Sequence, residues 1–227
     1  MPLLPSRPPS LPRACRGALL SLALAMACAR PDDDAPAAAA PTPPPFDLNR
    51  IDQSRQMGSP TAKVWFIVGS DFQCPFCKTF HHDTWKQIEN EYVKTGKIRA
   101  AFLNHPMSFH ARAIPAAEVA MCAGAQDRFW VMHDSLFVNQ EKWVNASDPM
   151  PVFESLAKSI GLDVDPWRSC VTSHATRAMV EADFVRTSQV GIKGTPSFVI
   201  GDSLSVVGAA PFAEFKQAID AALARAR

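Results

Sequence analysis

The 227-residue chain has no surplus of either charge: 23 Lys and Arg stand against 22 Asp and Glu. Without a basic balance or a basic run there is no electrostatic footprint for nucleic acid, and that class of partner is excluded. No internal repeat is present, which excludes solenoid architectures. Cysteine and histidine nowhere take the spacing of a zinc module. An apolar stretch near the start, residues 17–27 (GALLSLALAMA), falls short of the ~20 residues that cross a bilayer. What is present is a 47% hydrophobic composition, enough for one well-buried domain, and six cysteines.

Arg7, Arg13 and Arg16 precede that apolar stretch, and small residues end it. Residues 1–27 therefore read as a secretory signal. Its loss, which takes Cys15 with it, leaves 20 basic against 22 acidic residues. The run Leu24-Ala25-Met26-Ala27-Cys28 resembles a bacterial lipoprotein signal, in which Cys28 is lipidated and becomes the mature N-terminus. It departs from that pattern at Ala25, where Leu is usual. The other reading is ordinary cleavage near Ala27 or Ala29, with Cys28 removed or free. Residues 28–45 are rich in Pro and Ala with three aspartates, a composition that stays extended and solvated. At ~3.1 Å per residue this tether would reach roughly 50 Å. An exported chain also meets conditions in which disulfides persist.

From residue 46 onward the pattern is that of a folded domain. Residues 46–60 read as an edge strand or a loop. Residues 63–70 are continuously apolar and partly β-branched, a buried strand. Cys74-Pro75-Phe76-Cys77 follows, opening a helix expected over 75–94 with Gly96 as its stop. At that junction the first thiol meets unpaired backbone N–H groups and the helix dipole, both of which favour a thiolate. Pro75 suits the first turn because its missing N–H would find no partner there. A second strand is expected over 97–103, so that a strand–helix–strand crossover joins parallel strands.

The next ninety residues carry mainly helix signals. Residues 115–125 are Ala-rich; Phe129, Met132, Leu136 and Phe137 share one helical face, as do Phe153, Leu156, Ala157 and Ile160 before Gly161. Asp165-Pro166 reads as a helix start, and residues 173–189 as one longer helix. Lys193-Gly194-Thr195-Pro196 then leads into a short strand, with Thr195–Pro196 a candidate cis bond. A turn at Gly201-Asp202, a strand over 204–207 and a closing helix that buries Phe212, Phe215, Ile219 and Leu223 complete the chain.

Four segments in order carry a family resemblance: Ser70 to Cys77 (SDFQCPFC), Ala116-Ala117-Glu118 through Cys122-Ala123, Phe129-Trp130 through His133-Asp134, and Val190 to Thr195-Pro196. The chain from about residue 60 onward resembles the DsbA-like thiol–disulfide oxidoreductases. The resemblance implies an α/β thioredoxin fold in residues 46–227, with a helical domain inserted at about 104–190. It also implies Cys74 as a solvent-facing nucleophile and Cys77 as the shielded resolving thiol, which accords with the helix geometry. Pro75 and Phe76 would tune the couple. Thr195-Pro196 would be the cis-proline loop, pairing with an extended substrate by strand addition.

The chain departs from that family twice. Many strongly oxidising relatives carry His where Phe76 stands, and Phe76 has no side-chain donor, so a less extreme oxidant is expected. A buried acid commonly sits where this chain has Val68; Asp71, the nearest acid in sequence, or a water would assist instead. Cys122 and Cys170 match positions that some relatives join as a structural disulfide; two free thiols or a second redox pair are the alternatives. His81 and His82 read as helix-surface residues and not as metal ligands; His105, His110 and His133 as packing or capping residues; and Trp130 and Trp143 as core.

The function implied is disulfide exchange with exported protein substrates, oxidase favoured over reductase and isomerase last. The carrier is the Cys74–Cys77 disulfide, with no dissociable cofactor and no metal. A membrane redox partner would reset it, either a quinone-linked oxidase or an electron-donating transporter. The chain would act as a monomer in the periplasm or cell envelope, held to a membrane through Cys28. The rival reading is a non-enzymatic thioredoxin-like module that binds exported peptides or a soft metal.

Overall fold

The computed structural model describes residues 46–226; the signal, the tether and Cys28 lie outside them. Asp47 opens the described chain by capping α1, Leu48–Ser54, accepting from the N–H groups of Asn49 and Arg50. A helix thus stands where an edge strand or loop was expected. Its one fully buried side chain, Ile51, gives too faint a periodicity to read in sequence.

Five strands form one sheet in the order β1-β3-β2-β4-β5. They are β1 Gln56–Gly58, β2 Val64–Ser70, β3 Ile98–Asn104, β4 Ser197–Ile200 and β5 Ser203–Val207. β2 pairs parallel with β3, placing Val68 opposite Phe102 and Ser70 opposite Asn104. It pairs antiparallel with β4, placing Val68 opposite Phe198. The centre of β2 is therefore apolar on both flanks, and the polar residues Ser70 and Asp71 come only at its carboxyl end.

The helix after β2 begins with α2, Pro75–Phe80, and continues through α3, Lys86–Ile88. Wider π-helical turns at His81–Trp85 and Glu89–Val93 interrupt it. Between β3 and β4 lie α4 Ala113–Gly124, α5 Phe129–Val138, α6 Gln140–Asn145, α7 Met150–Ser159, α8 Val164–Thr172 and α9 Arg177–Gln189. These form the helical insertion, and α10, Phe212–Arg225, closes the fold.

Two expectations shift here. Asp163, not Asp165, caps α8 by accepting from the Asp165 N–H, so Pro166 sits inside the first turn. The helix expected over 173–189 is present but starts late: α8 ends at Thr172, His174 takes a positive φ of 54°, and α9 runs from Arg177 to Gln189. His174 Nδ1 lies 3.1 Å from the buried Glu118 carboxylate, which also accepts from Arg177 at 2.8 Å, and this holds the turn.

The core has two aromatic centres. Phe66, Phe80, Trp85, Phe198 and Phe215 pack ring against ring, joining the sheet to α2 and α10. Phe72, Phe102, Phe129 and Phe137 surround His133 and join the sheet to the insertion. Trp143 is fully buried, as expected, while Trp130 is partly buried and stacks on Trp85.

Candidate active site

Residues 71–74 turn the chain from the end of β2 into α2. The Cys74 N–H donates to the Asp71 carbonyl at 3.1 Å, and the Gln73 N–H to Asp71 Oδ1 at 2.7 Å. This double bond pattern sets Cys74 as the N-cap, with Pro75 in the first turn. Cys77 follows one turn in. Both cysteines are free thiols. The Thr195–Pro196 bond is cis, and the Cys74 thiol donates to the Thr195 carbonyl at 3.4 Å across 121 residues. Cys74 is only 4% exposed, so the expected solvent-facing thiol is corrected: the cis-proline loop lies against it. Cys77 is 1% exposed, whereas Phe76 between them is 65% exposed.

The two thiols are electrostatically unlike. A hydrogen bond from the Cys77 thiol does most to pull Cys74 down, from 9.0 to about 6, against the opposing effect of burial. The Thr195 side chain helps, as do the N–H groups of Cys77 and Phe76. Phe76 thus contributes through its backbone. Burial, followed by the nearness of Cys74, pushes the Cys77 thiol well above its ordinary value; the Asp71 N–H and the Ser70 side chain partly offset this. A thiolate at Cys74 and a neutral thiol at Cys77 is the arrangement that disulfide exchange uses.

The insertion and the loop leading into it supply three restraints that sequence reading missed. Gln140, buried at the start of α6, donates to the Phe72 carbonyl at 2.7 Å and the Cys74 carbonyl at 3.0 Å. The Arg112 N–H donates to Gln73 Oε1 at 2.7 Å. Asp71 Oδ2 accepts from the Met107 N–H at 2.9 Å and lies 2.7 Å from His110 Nδ1. Asp71 is the acid singled out near the site, but its carboxylate holds loop 105–112. Val68 is buried between its sheet neighbours and brings no polar atom to the cysteines. For Gln140 no signal in the sequence marks the contact.

Away from the redox pair, Cys122 and Cys170 are joined as a disulfide that ties α4 to α8. His82 is exposed, but His81 is buried, and the expectation of a surface role for it is corrected. The π-helical turn that begins at His81 rotates its ring inward, 2.9 Å from Asp134 Oδ1. His133 bonds the same oxygen at 3.0 Å, and Lys86 Nζ bonds Asp134 Oδ2 at 2.7 Å. His81, His133 and Asp134 are the one trio of ligand-type groups clustered among the described residues. The Lys86 ammonium already neutralises its carboxylate, so the trio reads as a hydrogen-bond network. Burial pushes His133 down to about 4 and keeps it neutral. His105 bonds Thr187, and His110 Asp71, as packing and capping residues do.

A family model described as thioredoxin matches residues 51–221. The chain is 26% identical over 172 residues to the probable disulfide bond formation protein D of Bacillus cereus, covering 73% of this chain and 77% of that protein. It is 25% identical to the disulfide bond formation protein D of Bacillus subtilis, covering 72% and 74%. Among solved structures, oxidised BdbD of Bacillus subtilis superposes with a TM-score of 0.67 at 23% identity, covering 79% of this chain and 96% of that one. The alpha-DsbA1 of Wolbachia pipientis gives the same TM-score and identity, with 76% and 92% covered. The chain belongs to the thioredoxin family, as a DsbA-like thiol–disulfide oxidoreductase.

Proposed function

We propose that the protein is an exported donor of disulfides to protein substrates. Cys74 is the exchanging thiol, Cys77 the resolving thiol, and Pro75 and Phe76 shape the couple. An extended substrate segment lying along Thr195–Pro196 brings its own thiol to Cys74. The Cys74–Cys77 disulfide is itself the carrier, a single chain holds the whole site, and a membrane redox partner restores it. The features of residues 1–45 support export and a lipid anchor at Cys28; among the described residues no helix is long and apolar enough to cross a membrane.

The observation that carries the oxidising direction is the low value of Cys74, about 6, beside a neutral Cys77. A stabilised thiolate stabilises the reduced protein and makes its disulfide a better oxidant. Thioredoxin combines a first thiol near 7 with a potential near −270 mV, so a first thiol held lower places this couple on the oxidising side of thioredoxin and of the structural disulfides of secreted proteins. Glutathione titration of the full chain, together with oxidation of a reduced, unfolded protein substrate, tests this. A potential at or below about −270 mV with no net oxidation would make the protein a reductase instead.

A further inference from the structure

The exchange chemistry has a step for which the expected helper is missing. When a substrate thiolate attacks Cys74 Sγ, a substrate–Cys74 bond forms and the Cys74–Cys77 bond breaks. The electron pair leaves on Cys77 Sγ, which is 1% exposed. A thiolate released there has almost no water to solvate it. Val68 lies in an apolar stretch of sheet between Phe102 and Phe198 and offers no proton donor. Exchange rates depend on how well the leaving sulfur carries its charge, so something else must stabilise it.

One donor of fixed geometry reaches that sulfur: the Asp71 N–H lies 3.5 Å from Cys77 Sγ. The peptide unit that carries the Asp71 N–H is pinned at its other end, where the Ser70 carbonyl accepts from the His105 N–H at 2.8 Å. The chain of donors from His105 through this peptide to Cys77 is polarised in one direction, which strengthens the last bond. Asp71 cannot swing away, because its carboxylate is held by the N–H groups of Gln73 and Met107 and by His110. Asp71 is 2% exposed, so water does not compete for this donor.

We infer that the Asp71 backbone N–H is the seat for the transient Cys77 thiolate. The role parallels an oxyanion hole, with a donor placed in advance where charge develops. The Asp71 side chain is a positioning group that acts through the peptide. The thiolate then takes a proton from water, and a second substrate thiolate releases the substrate disulfide and the Cys74 thiolate. By microscopic reversibility the same seat assists Cys77 when it resolves a mixed disulfide. Both directions are therefore accelerated equally, and the equilibrium is left alone. The inference rests on the exchange reading of the Cys74–Cys77 pair.

The test uses the oxidised full chain and reduced glutathione, with the rate of disulfide opening and the equilibrium constant measured separately. Asp71→Ala, which unlatches the N–H, is expected to slow opening and re-closure about tenfold each, the loss of one hydrogen bond to a charged group. Its equilibrium constant should move less than threefold, about 15 mV for a two-electron couple. His110→Ala, which releases one of the ties on the Asp71 carboxylate, should slow both directions by a smaller factor, again without moving the potential, and carries the test if Asp71→Ala does not fold. Unchanged rates, or rates that fall only together with the potential, would overturn the inference. A parent protein that failed to react with glutathione at all would instead sink the exchange reading itself.

Discussion

The titration of Cys74 depends on Cys77 more than on any other group, and that dependence can be isolated by replacing one atom. The Cys77 thiol donates to the Cys74 sulfur, and this bond is the largest cause of the fall to about 6. Cys77→Ser keeps an O–H donor in the same place; Cys77→Ala removes it. A hydrogen bond to a charged acceptor is worth ~1.5 kcal/mol at the low end, which is about one pH unit. The Cys74 inflection is therefore expected to stay at about 6 in Cys77→Ser and to rise to roughly 7 in Cys77→Ala. At pH 6 the thiolate fraction would fall from about half to about a tenth, slowing alkylation by iodoacetamide about fivefold, while at pH 9 the variants react alike. The rate is read on the Cys74 peptide by mass spectrometry, with thiolate absorbance at 240 nm as a check. Identical inflections in both variants and the parent, or a parent inflection near 8.5, would refute the reasoning. The sign for stability follows from a lowered folded value: the reduced form's extra stability is full above the ordinary thiol range and is lost as pH falls through about 6.

Two further outcomes concern the scaffold. The Cys122–Cys170 disulfide spans 48 residues, so replacing both cysteines by Ala should lower unfolding stability by up to about 4 kcal/mol. Urea denaturation would show this, and an unchanged midpoint, or a change in the Cys74 inflection, would contradict a purely structural role. The buried Arg55 guanidinium pairs with Asp183, whose carboxylate also accepts from the Asn104 N–H and side-chain amide. Arg55→Ala strands a charge with no exposure of its own and should cost about 3–5 kcal/mol. Arg55→Met combined with Asp183→Asn, which removes the charge but keeps an oxygen to accept from Asn104, should recover most of that; equal losses in the single and double variants would show that the charge is not the cause.

Features whose cause is local can be read from a few neighbouring residues. Continuous apolar residues up to Ser70, a proline one step into a helix, and a Gly-Thr-Pro run before a short strand are written within a few residues of the places they act. The thioredoxin order of elements, the Cys74–Cys77 pair at a helix start and the cis-proline loop were therefore legible. The structure alone decided what depends on partners far along the chain. Cys74 is covered because Thr195 lies against it from 121 residues away. Gln140 holds the redox loop across 66 residues, and His110 holds Asp71 across 39. His81 turns inward because a π-helical turn and an Asp134 53 residues distant outweigh its helical phase. A buried polar group needs a partner wherever the fold can supply one, and periodicity carries no information about which distant residue that will be.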